Sequence, residues 1–472
     1  MITMKFGGSS VADAQRIRHV ADIVKAYKKR HPVIVLSAMG DTTDHLLEAG
    51  EAAFKNGIVS LDRIEKLHLA AIKNLKLTSQ SKQEIKPLLD ELKSLLSGIS
   101  IIRELTVRTR DYLVSFGERL SVRIAAAYFN SVGIKAQAMD AWDAGFISNS
   151  NYTSADLLEE TWVAIPQKLL PLLSAGILPV VTGFLAKDAG GAITTLGRGG
   201  SDLTATMIAA ACKAEEAQVW KDVDGILTAD PRIVKKAKPV DVATYDEAAE
   251  LAYFGAQVLH PRAMQPCMAS GTPVLVKNSY NVQAPGTRIV SSLAAIQPKD
   301  RDSDTSAPKH TPIRAACHIR AITAKRNVTL VDIVSSRMLG QYGFLAEVFT
   351  AFARHSISID MVATSEVSVS LTLDAAHDLS ALKKELSRIA NVEIKTGKAI
   401  ITIIGNVKRS SEILARAFKI CKLIGVTVQM VSQGASKVNI SFIVDDREAE
   451  EVIRALHLDF FESQVQAIKN EQ

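Results

Sequence analysis

Met1-Ile2-Thr3-Met4-Lys5-Phe6-Gly7-Gly8-Ser9-Ser10-Val11 decides the fold class, because an apolar run of strand length meets a glycine turn and then a helical pattern from about Val11 to Lys29. A strand, a Gly-Gly-Ser turn and a helix make a βα unit whose backbone N–H groups can hold an anion. This is not a Walker loop, since the lysine precedes the glycines. Lys5 at the strand end is either a solvated edge lysine or a mobile point charge that reaches a γ-phosphate.

The next strand outward, Val33–Ser37, ends in Ala38-Met39-Gly40-Asp41-Thr42-Thr43-Asp44. Ligands of α/β sheets gather at such carboxyl ends. Ser37 and Thr43 can hydrogen-bond a substrate there, although Thr43 or Asp44 also suits a helix N-cap. Asp44 to about Asn130 is mainly helical, and the segment 114–119 interrupts the pattern. Within it Glu118 is either a surface carboxylate or a receptor for an ammonium group. Further strands are expected at Ile134–Met139 and Leu178–Gly183, followed by a β-ribbon over Phe184–Thr195. The ribbon leads into Thr194-Thr195-Leu196-Gly197-Arg198-Gly199-Gly200-Ser201-Asp202-Leu203-Thr204 and the apolar helical run Leu203–Cys212. Glycines allow close backbone approach to an anion, and the helix start adds positive charge. Arg198 can grip a carboxylate or a phosphate with two parallel hydrogen bonds; a plain glycine-rich hairpin turn is the competing reading. Strand Gln218–Lys221 then runs into Asp222-Val223-Asp224-Gly225-Ile226-Leu227 and the proline-fixed loop to Arg232, a plausible nucleotide rim. His260, before Pro261, reads as a packed structural residue more than as a catalyst.

At 472 residues the chain should hold two or three domains, and 47% hydrophobic residues with only 5% aromatics suit an α/β enzyme. The net charge of +6 comes from dispersed basic residues, so an anionic small molecule is favoured over nucleic acid. The four cysteines lie far apart without metal-ligand spacing and read as buried thiols in a reducing compartment. No signal peptide precedes the first strand and no apolar run approaches transmembrane length, so a cytoplasmic protein, or the mature form of an organellar one, without membrane partners is expected.

Repeated strand–helix alternation argues for a three-layer α/β/α domain over residues 1–293, followed by a polar linker at 294–312. Beyond it the rhythm becomes βαββαβ, a ferredoxin-like sandwich, and then repeats. We expect one such module at 313–398 and a second at 399–472, with strands at Val328–Ser335, Ile357–Ala363, Val367–Leu373, Val392–Lys395 and Ala399–Ile404 among them. Sheets of this kind pair edge to edge, so a homodimer or higher homo-oligomer is natural.

This combination resembles the aspartate kinases of the amino acid kinase family, which carry two C-terminal ACT domains. The residues that carry the resemblance are Lys5–Ala12, Phe116-Gly117-Glu118, Leu196–Asp202, Asp222–Arg232, Phe254–Pro261, Arg337–Leu345 and Thr364–Val369. Trp220-Lys221-Asp222 and Gly255-Ala256-Gln257 look most like the monofunctional, plant-type enzymes. The resemblance implies a carbamate kinase-like catalytic fold and an ATP-dependent phosphotransfer to a carboxyl group. The reaction would turn L-aspartate into 4-phospho-L-aspartate, the first step towards lysine, threonine and methionine. A kinase acting on glutamate or acetylglutamate, and a non-catalytic amino-acid sensor, are the competing readings.

The resemblance also implies residue roles. Lys5 would neutralise the transferred phosphoryl and Asp202 would hold Lys5. Gly7, Gly8 and Ser9 would supply backbone donors to phosphates. Arg198 would clamp the substrate α-carboxylate, Glu118 would take its ammonium, and Ser37, Thr43 and Ser201 would orient it. ATP would meet Lys221, Asp222, Leu227, Arg232, Gln257 and Val258, with Mg²⁺ held mainly by the phosphates and no metal ligand from the protein. Some relatives have tyrosine at Leu227 and lysine at Gln257, which are departures here. An allosteric amino acid, L-lysine, would sit among Met338, Gln341, Gly343, Phe344, Leu345, Asp360, Ser365 and Glu366. Family members also give the strand around Ile319–Ala324 to the second ACT module.

Overall fold

A computed structural model of the chain describes residues 1–254, 259–292, 319–335, 342–374, 378–433 and 438–462. These fall into two compact units, the first of residues 1–226, 241–249 and 258–307, the second of residues 227–240, 250–257 and 308–472.

The first unit is built on an eight-stranded sheet. Its elements are β1 (Ile2–Phe6), α1 (Ala14–Ala26), β2 (Pro32–Leu36), α2 (Thr42–Asn56), α3 (Asp62–Asn74), α4 (Ser79–Ile102), α5 (Val107–Ser131) and β3 (Ala136–Met139). Then come β4 (Ile147–Ser148), α6 (Glu160–Ser174), β5 (Leu178–Thr182), β6 (Leu185–Asp188), β7 (Ile193–Thr195), α7 (Gly200–Ala211) and β8 (Ala217–Lys221). The unit ends with β9 (Val242–Thr244), α8 (Tyr245–Tyr253, whose last turn belongs to the second unit), α9 (Pro261–Ser270), β10 (Val274–Asn278) and β11 (Thr287–Val290).

The sheet order is β3-β5-β2-β1-β8-β10-β11-β9. Pairing is parallel from β3 to β10, and β11 is antiparallel to β10. Alternation along each strand sorts side chains to two faces. Ile2, Met4, Phe6, Ile34 and Leu36 pack with α1 and α3 to α5, whereas Val33, Val35 and Val181 pack with α6 and α7. The result is three layers, α/β/α. Parity also puts Thr3 and Lys5 on the opposite face from Met4, so Lys5 projects on the α7 side.

Residues 114–119 do not interrupt the helical run; they lie inside the continuous helix α5, where every one of them is buried. A helix covered on all sides shows no amphipathic period, which is why the pattern failed there. The first helix also starts later than expected, after a short 3-10 turn at Gly8–Val11, because Asp13 caps it by accepting the Arg16 N–H.

The second unit contains β12 (Ile319–Val334), α10 (Phe344–Arg354), β13 (Met361–Thr364), β14 (Ser368–Asp374), α11 (Ser380–Leu386), β15 (Asn391–Gly405), α12 (Ser410–Leu423), β16 (Met430–Ser432), β17 (Asn439–Asp445) and α13 (Ala449–His457). All strands join one antiparallel sheet in the order β13-β14-β12-β15-β17-β16. The expected separate strands Val392–Lys395 and Ala399–Ile404 are a single strand, β15, whose register against β12 shifts around Lys325–Val328. Asn327 and Gly397, both at positive φ, absorb this bulge, so the strands bend where sequence punctuation suggested a break. Val328 to Val334 pair with β14, and Val331 and Ile333 among them pack with α10 and α11, while Ile319 and Ile322 share a core with α12 and α13. Each half of the sheet is thus a ferredoxin-like layer of helices on strands, and the first stretch of β12 supplies a strand to the half that ends the chain.

Candidate active site

Strand alternation brings Lys5 under the first turn of α7, where its ammonium lies 2.6 Å from an Asp202 carboxylate oxygen. The other oxygen of Asp202 faces the Lys221 ammonium at 3.7 Å from the end of β8, the strand beside β1. Burial opposes ionisation of Asp202, yet the Lys5 and Lys221 charges prevail and hold its carboxyl below the usual carboxylate range. Lys221 responds in the opposite sense: burial lowers its pKa, and Asp202 only partly restores it. Two cations thus share one anion, and the surplus positive charge faces the cleft.

That cleft, of about 510 Å³, is lined by Lys5, Gly8, Ser37, Thr43, Glu118, Arg198, Ser201 and Asp202 together with Ala38, Gly40, Phe184 and three loop glycines. Glu118 arrives on α5. Gly117 before it lies so close to the end of β2 that a Cβ would meet the Ala38 methyl at 2.8 Å. This approach lets one Glu118 oxygen accept the Ala38 N–H at 3.1 Å. The other oxygen is buried without a hydrogen-bond partner among the described residues. Burial pushes the Glu118 carboxyl up to about 8, against the Ala38 N–H and the Lys5 charge. It is a buried acid awaiting a donor.

The Arg198 loop is shaped by its neighbours. Gly199 has φ 76°, and a Cβ there would strike His260 at 2.7 Å. His260 caps α9, its Nδ1 accepting the Arg262 N–H at 3.3 Å, in keeping with a structural role. Burial and the nearby Arg198 and Arg262 charges lower its pKa. Ser37 donates to the Ser201 hydroxyl at 3.1 Å, linking the end of β2 to the start of α7.

The other expected residues are distributed as follows. Gly7 lies beside the Lys5 ammonium, Ser9 is exposed on the 3-10 turn, and Asp222 is exposed after β8. Leu227 and Arg232 belong to the second unit, where Arg232 pairs with Asp230 at 2.6 Å. Gln257, Val258, Met338 and Gln341 lie outside the described residues. Gly343 caps α10, Phe344 and Leu345 open it, and Ser365 and Glu366 are exposed between β13 and β14. Asp360 pairs with Lys325 at 2.6 Å and accepts the Tyr253 hydroxyl at 2.8 Å. Sequence reading missed Phe184 and Ala38, both lining the cleft. Their positions just past the ends of β5 and β2 are the signal that could have found them.

A buried lysine–aspartate–lysine cluster under a glycine-rich helix start, on a mainly parallel sheet, defines a phosphotransferase of the amino acid kinase class. A profile of that family matches residues 1–278, and an ACT domain profile matches residues 331–384 and 401–460. Aspartokinase 1, chloroplastic, of Arabidopsis thaliana is 52% identical over 476 residues, covering 98% of this chain and 80% of that protein. The crystal structure of E. coli aspartokinase III in complex with aspartate and ADP (R-state) superposes with a TM-score of 0.77 at 33% identity, covering 98% of this chain and all of that one. The same enzyme in complex with lysine and aspartate (T-state) gives 0.78 at 34% identity and the same coverage of this chain. The chain belongs to the amino acid kinase family and, within it, to the aspartokinases. Its reaction is therefore the ATP-dependent phosphorylation of aspartate. Among the described residues no helix is long and apolar enough to cross a membrane.

Proposed function

We propose that the cleft residues divide the reaction between holding aspartate and steering the phosphoryl group to it. The observation that carries this reading is the Lys5–Asp202–Lys221 cluster, whose Lys5 and Asp202 line a cleft that also holds Glu118 and Arg198. A side-chain carboxylate has a reference pKa near ~3.9, so aspartate arrives ionised and no general base is needed. The obstacle is repulsion between that anion and the triphosphate, which positive charge and alignment overcome. The new bond joins a β-carboxylate oxygen to the γ-phosphorus. The bond from that phosphorus to the β,γ-bridging oxygen breaks, and ADP leaves with the electron pair.

Lys5 neutralises the phosphoryl oxygens in transit, and Asp202 keeps Lys5 extended over the floor. Arg198 takes the α-carboxylate, the free Glu118 oxygen takes the ammonium, and Ser37, Thr43 and Ser201 orient the remainder. Gly7, Gly8 and Ser9 present backbone to the phosphates, with Lys221 and Asp222 completing the nucleotide contacts of the first unit. Among the described residues no group of three or more His, Cys, Asp or Glu side chains is placed to hold a metal. A magnesium ion, when bound, would be carried by the phosphates and water and would neutralise charge there.

The proposal extends to regulation. L-lysine would bind in the second unit among Met338, Gln341, Gly343, Phe344, Leu345, Asp360, Ser365 and Glu366, biasing the enzyme to an inactive state. Support comes from the lysine complex of the E. coli relative and from the acidic pair Asp360 and Asp374 around Lys325. A homo-oligomer through this unit is supported by exposed Leu345, Phe349 and Val362 on and beside α10 and β13. A reducing compartment is supported by the free thiols Cys212, Cys267 and Cys421.

The test is to mix the protein with ATP, Mg²⁺ and L-aspartate and trap the acyl phosphate with hydroxylamine. Aspartyl hydroxamate is expected, falling when lysine is added. Product with glutamate but not aspartate would overturn the substrate reading, and activity indifferent to lysine would overturn the effector.

A further inference from the structure

Arg198 and Glu118 have to meet two groups on a single carbon atom, so their separation must be held to a fraction of an ångström. Glu118 sits on α5, whereas Arg198 sits on the loop after β7. One buried side chain joins those two elements. Asp111 lies on α5, seven residues or about two turns before Glu118. One of its carboxylate oxygens accepts the Thr195 N–H at 2.8 Å and the Thr153 N–H at 2.8 Å, and the other accepts the Thr195 hydroxyl at 2.9 Å. Thr195 ends β7, three residues before Arg198. Thr153 takes φ 69°, an unfavourable value for a β-branched residue, at the point where its N–H meets this carboxylate.

We propose that Asp111 is a positioning residue for aspartate, holding the Arg198 loop at a set distance from Glu118 through three hydrogen bonds. This rests on the reading of Arg198 and Glu118 given above. The Asp111 side chain faces Thr153 and Thr195 and is not among the cleft-lining residues, so it acts through the loop. A carboxyl at 1% exposure, with no ion pair among the described residues, is an expensive way to fill space. Burial raises its pKa against the three hydrogen bonds, so the charge itself is not what the site favours. The bonding pattern is what matters. Asparagine preserves it, since its amide oxygen accepts both N–H groups and its NH₂ donates to the Thr195 hydroxyl.

The experiment compares Asp111→Ala, Asp111→Asn, Thr195→Val and Arg198→Ala in the full chain, measuring KM for aspartate and for ATP, kcat, and hydrogen exchange of the segment Ile193–Gly199. Asp111→Ala should raise KM for aspartate about tenfold to a hundredfold, as expected of an ångström-scale misplacement, and leave KM for ATP within about twofold. Asp111→Asn should recover most of that loss. If Asp111→Ala does not fold, Thr195→Val carries the test: it keeps the packing, loses one bond and should raise KM for aspartate about threefold. Exchange at Ile193–Gly199 should quicken in both. An unchanged KM for aspartate in Asp111→Ala, with a raised one in Arg198→Ala, would overturn the proposal. Equal defects in Asp111→Asn and Asp111→Ala would overturn it too. If Arg198→Ala itself leaves KM for aspartate unaltered, the reading of Arg198 fails. The clamp is then judged by exchange alone: faster exchange in Asp111→Ala upholds it, and unchanged exchange overturns it.

Discussion

In the first unit one carboxylate, Asp202, lies between two ammonium groups, Lys5 and Lys221; in the second unit one ammonium, Lys325, lies between two carboxylates, Asp360 and Asp374. Both clusters look like ordinary salt bridges, yet their surplus charges have opposite sign. The first keeps a positive charge over, which suits phosphate. The second keeps a negative one, which suits an ammonium group. Burial differs as well. Lys5 and Asp202 are both about nine-tenths buried, whereas the Asp360 side chain is 5% exposed and that of Asp374 61%. A field in a water-poor site acts at full strength, and one at the rim is screened. The lesson is that the uncompensated charge, and how deeply it lies, reports what a salt-bridge cluster is arranged to receive.

Removing the surplus positive charge is the sharpest way to break this comparison. Lys5→Met should lower kcat by at least about 10²–10³-fold, the scale seen when one preorganised donor to a developing charge is lost. Hydroxamate formation under saturating ATP and aspartate reads this, with circular dichroism to check folding. Full turnover in Lys5→Met would mean that the cluster is structural only.

Glu118 gives the next largest effect and a pH signature. Its carboxyl, pushed up to about 8 by burial, is protonated in the empty enzyme at neutral pH. An ammonium seated on it favours the ionised form, so binding must expel the proton. KM for aspartate should therefore fall as pH rises from 6 to 8, by up to about tenfold per unit, and then level off. Glu118→Gln should raise KM for aspartate about tenfold or more and flatten this profile. The same group destabilises the empty protein as pH rises. The folded form keeps a proton that the unfolded chain releases above its ordinary value of 4.5, so stability is lost between about 4.5 and 8. A KM independent of pH would remove Glu118 from the ammonium site.

Much of this was legible in the sequence, for identifiable reasons. The Gly-Gly turn after β1 and the glycine-rich stretch before α7 announce themselves because both sit at strand ends, where backbone geometry restricts residue choice. Lys5 at the strand end was left open between a solvated edge lysine and a point charge for phosphate; parity, a local property of the strand, puts it on the α7 side. Glu118 stood out, but its segment alone left it open between a surface carboxylate and an ammonium receptor, because α5 is covered on all sides and its buried run carries no periodicity. Asp111 was invisible for a different reason: its partners Thr153 and Thr195 lie 42 and 84 residues away, and no local pattern encodes such bonds. The continuity of β12 and β15 was hidden by Asn327 and Gly397, which look like turns and act as bulges.

Smaller effects separate the two carboxylates of the second cluster. Lys325 keeps its charge firmly: burial lowers its pKa, but the two carboxylates outweigh that and raise it. Asp360, which also accepts the Tyr253 hydroxyl, is the buried member, so Asp360→Asn should raise the lysine concentration for half-inhibition by about tenfold. Asp374→Asn removes the same formal charge from the rim. It should shift that concentration by no more than about twofold and change stability to urea by less than about 1 kcal/mol. The pair of variants thus divides charge from depth. If both shifted inhibition equally, the net charge of the cluster would govern effector binding, and burial would be irrelevant to it. If only Asp360→Asn acts, the second cluster works as the first does, through the one carboxylate that water does not screen.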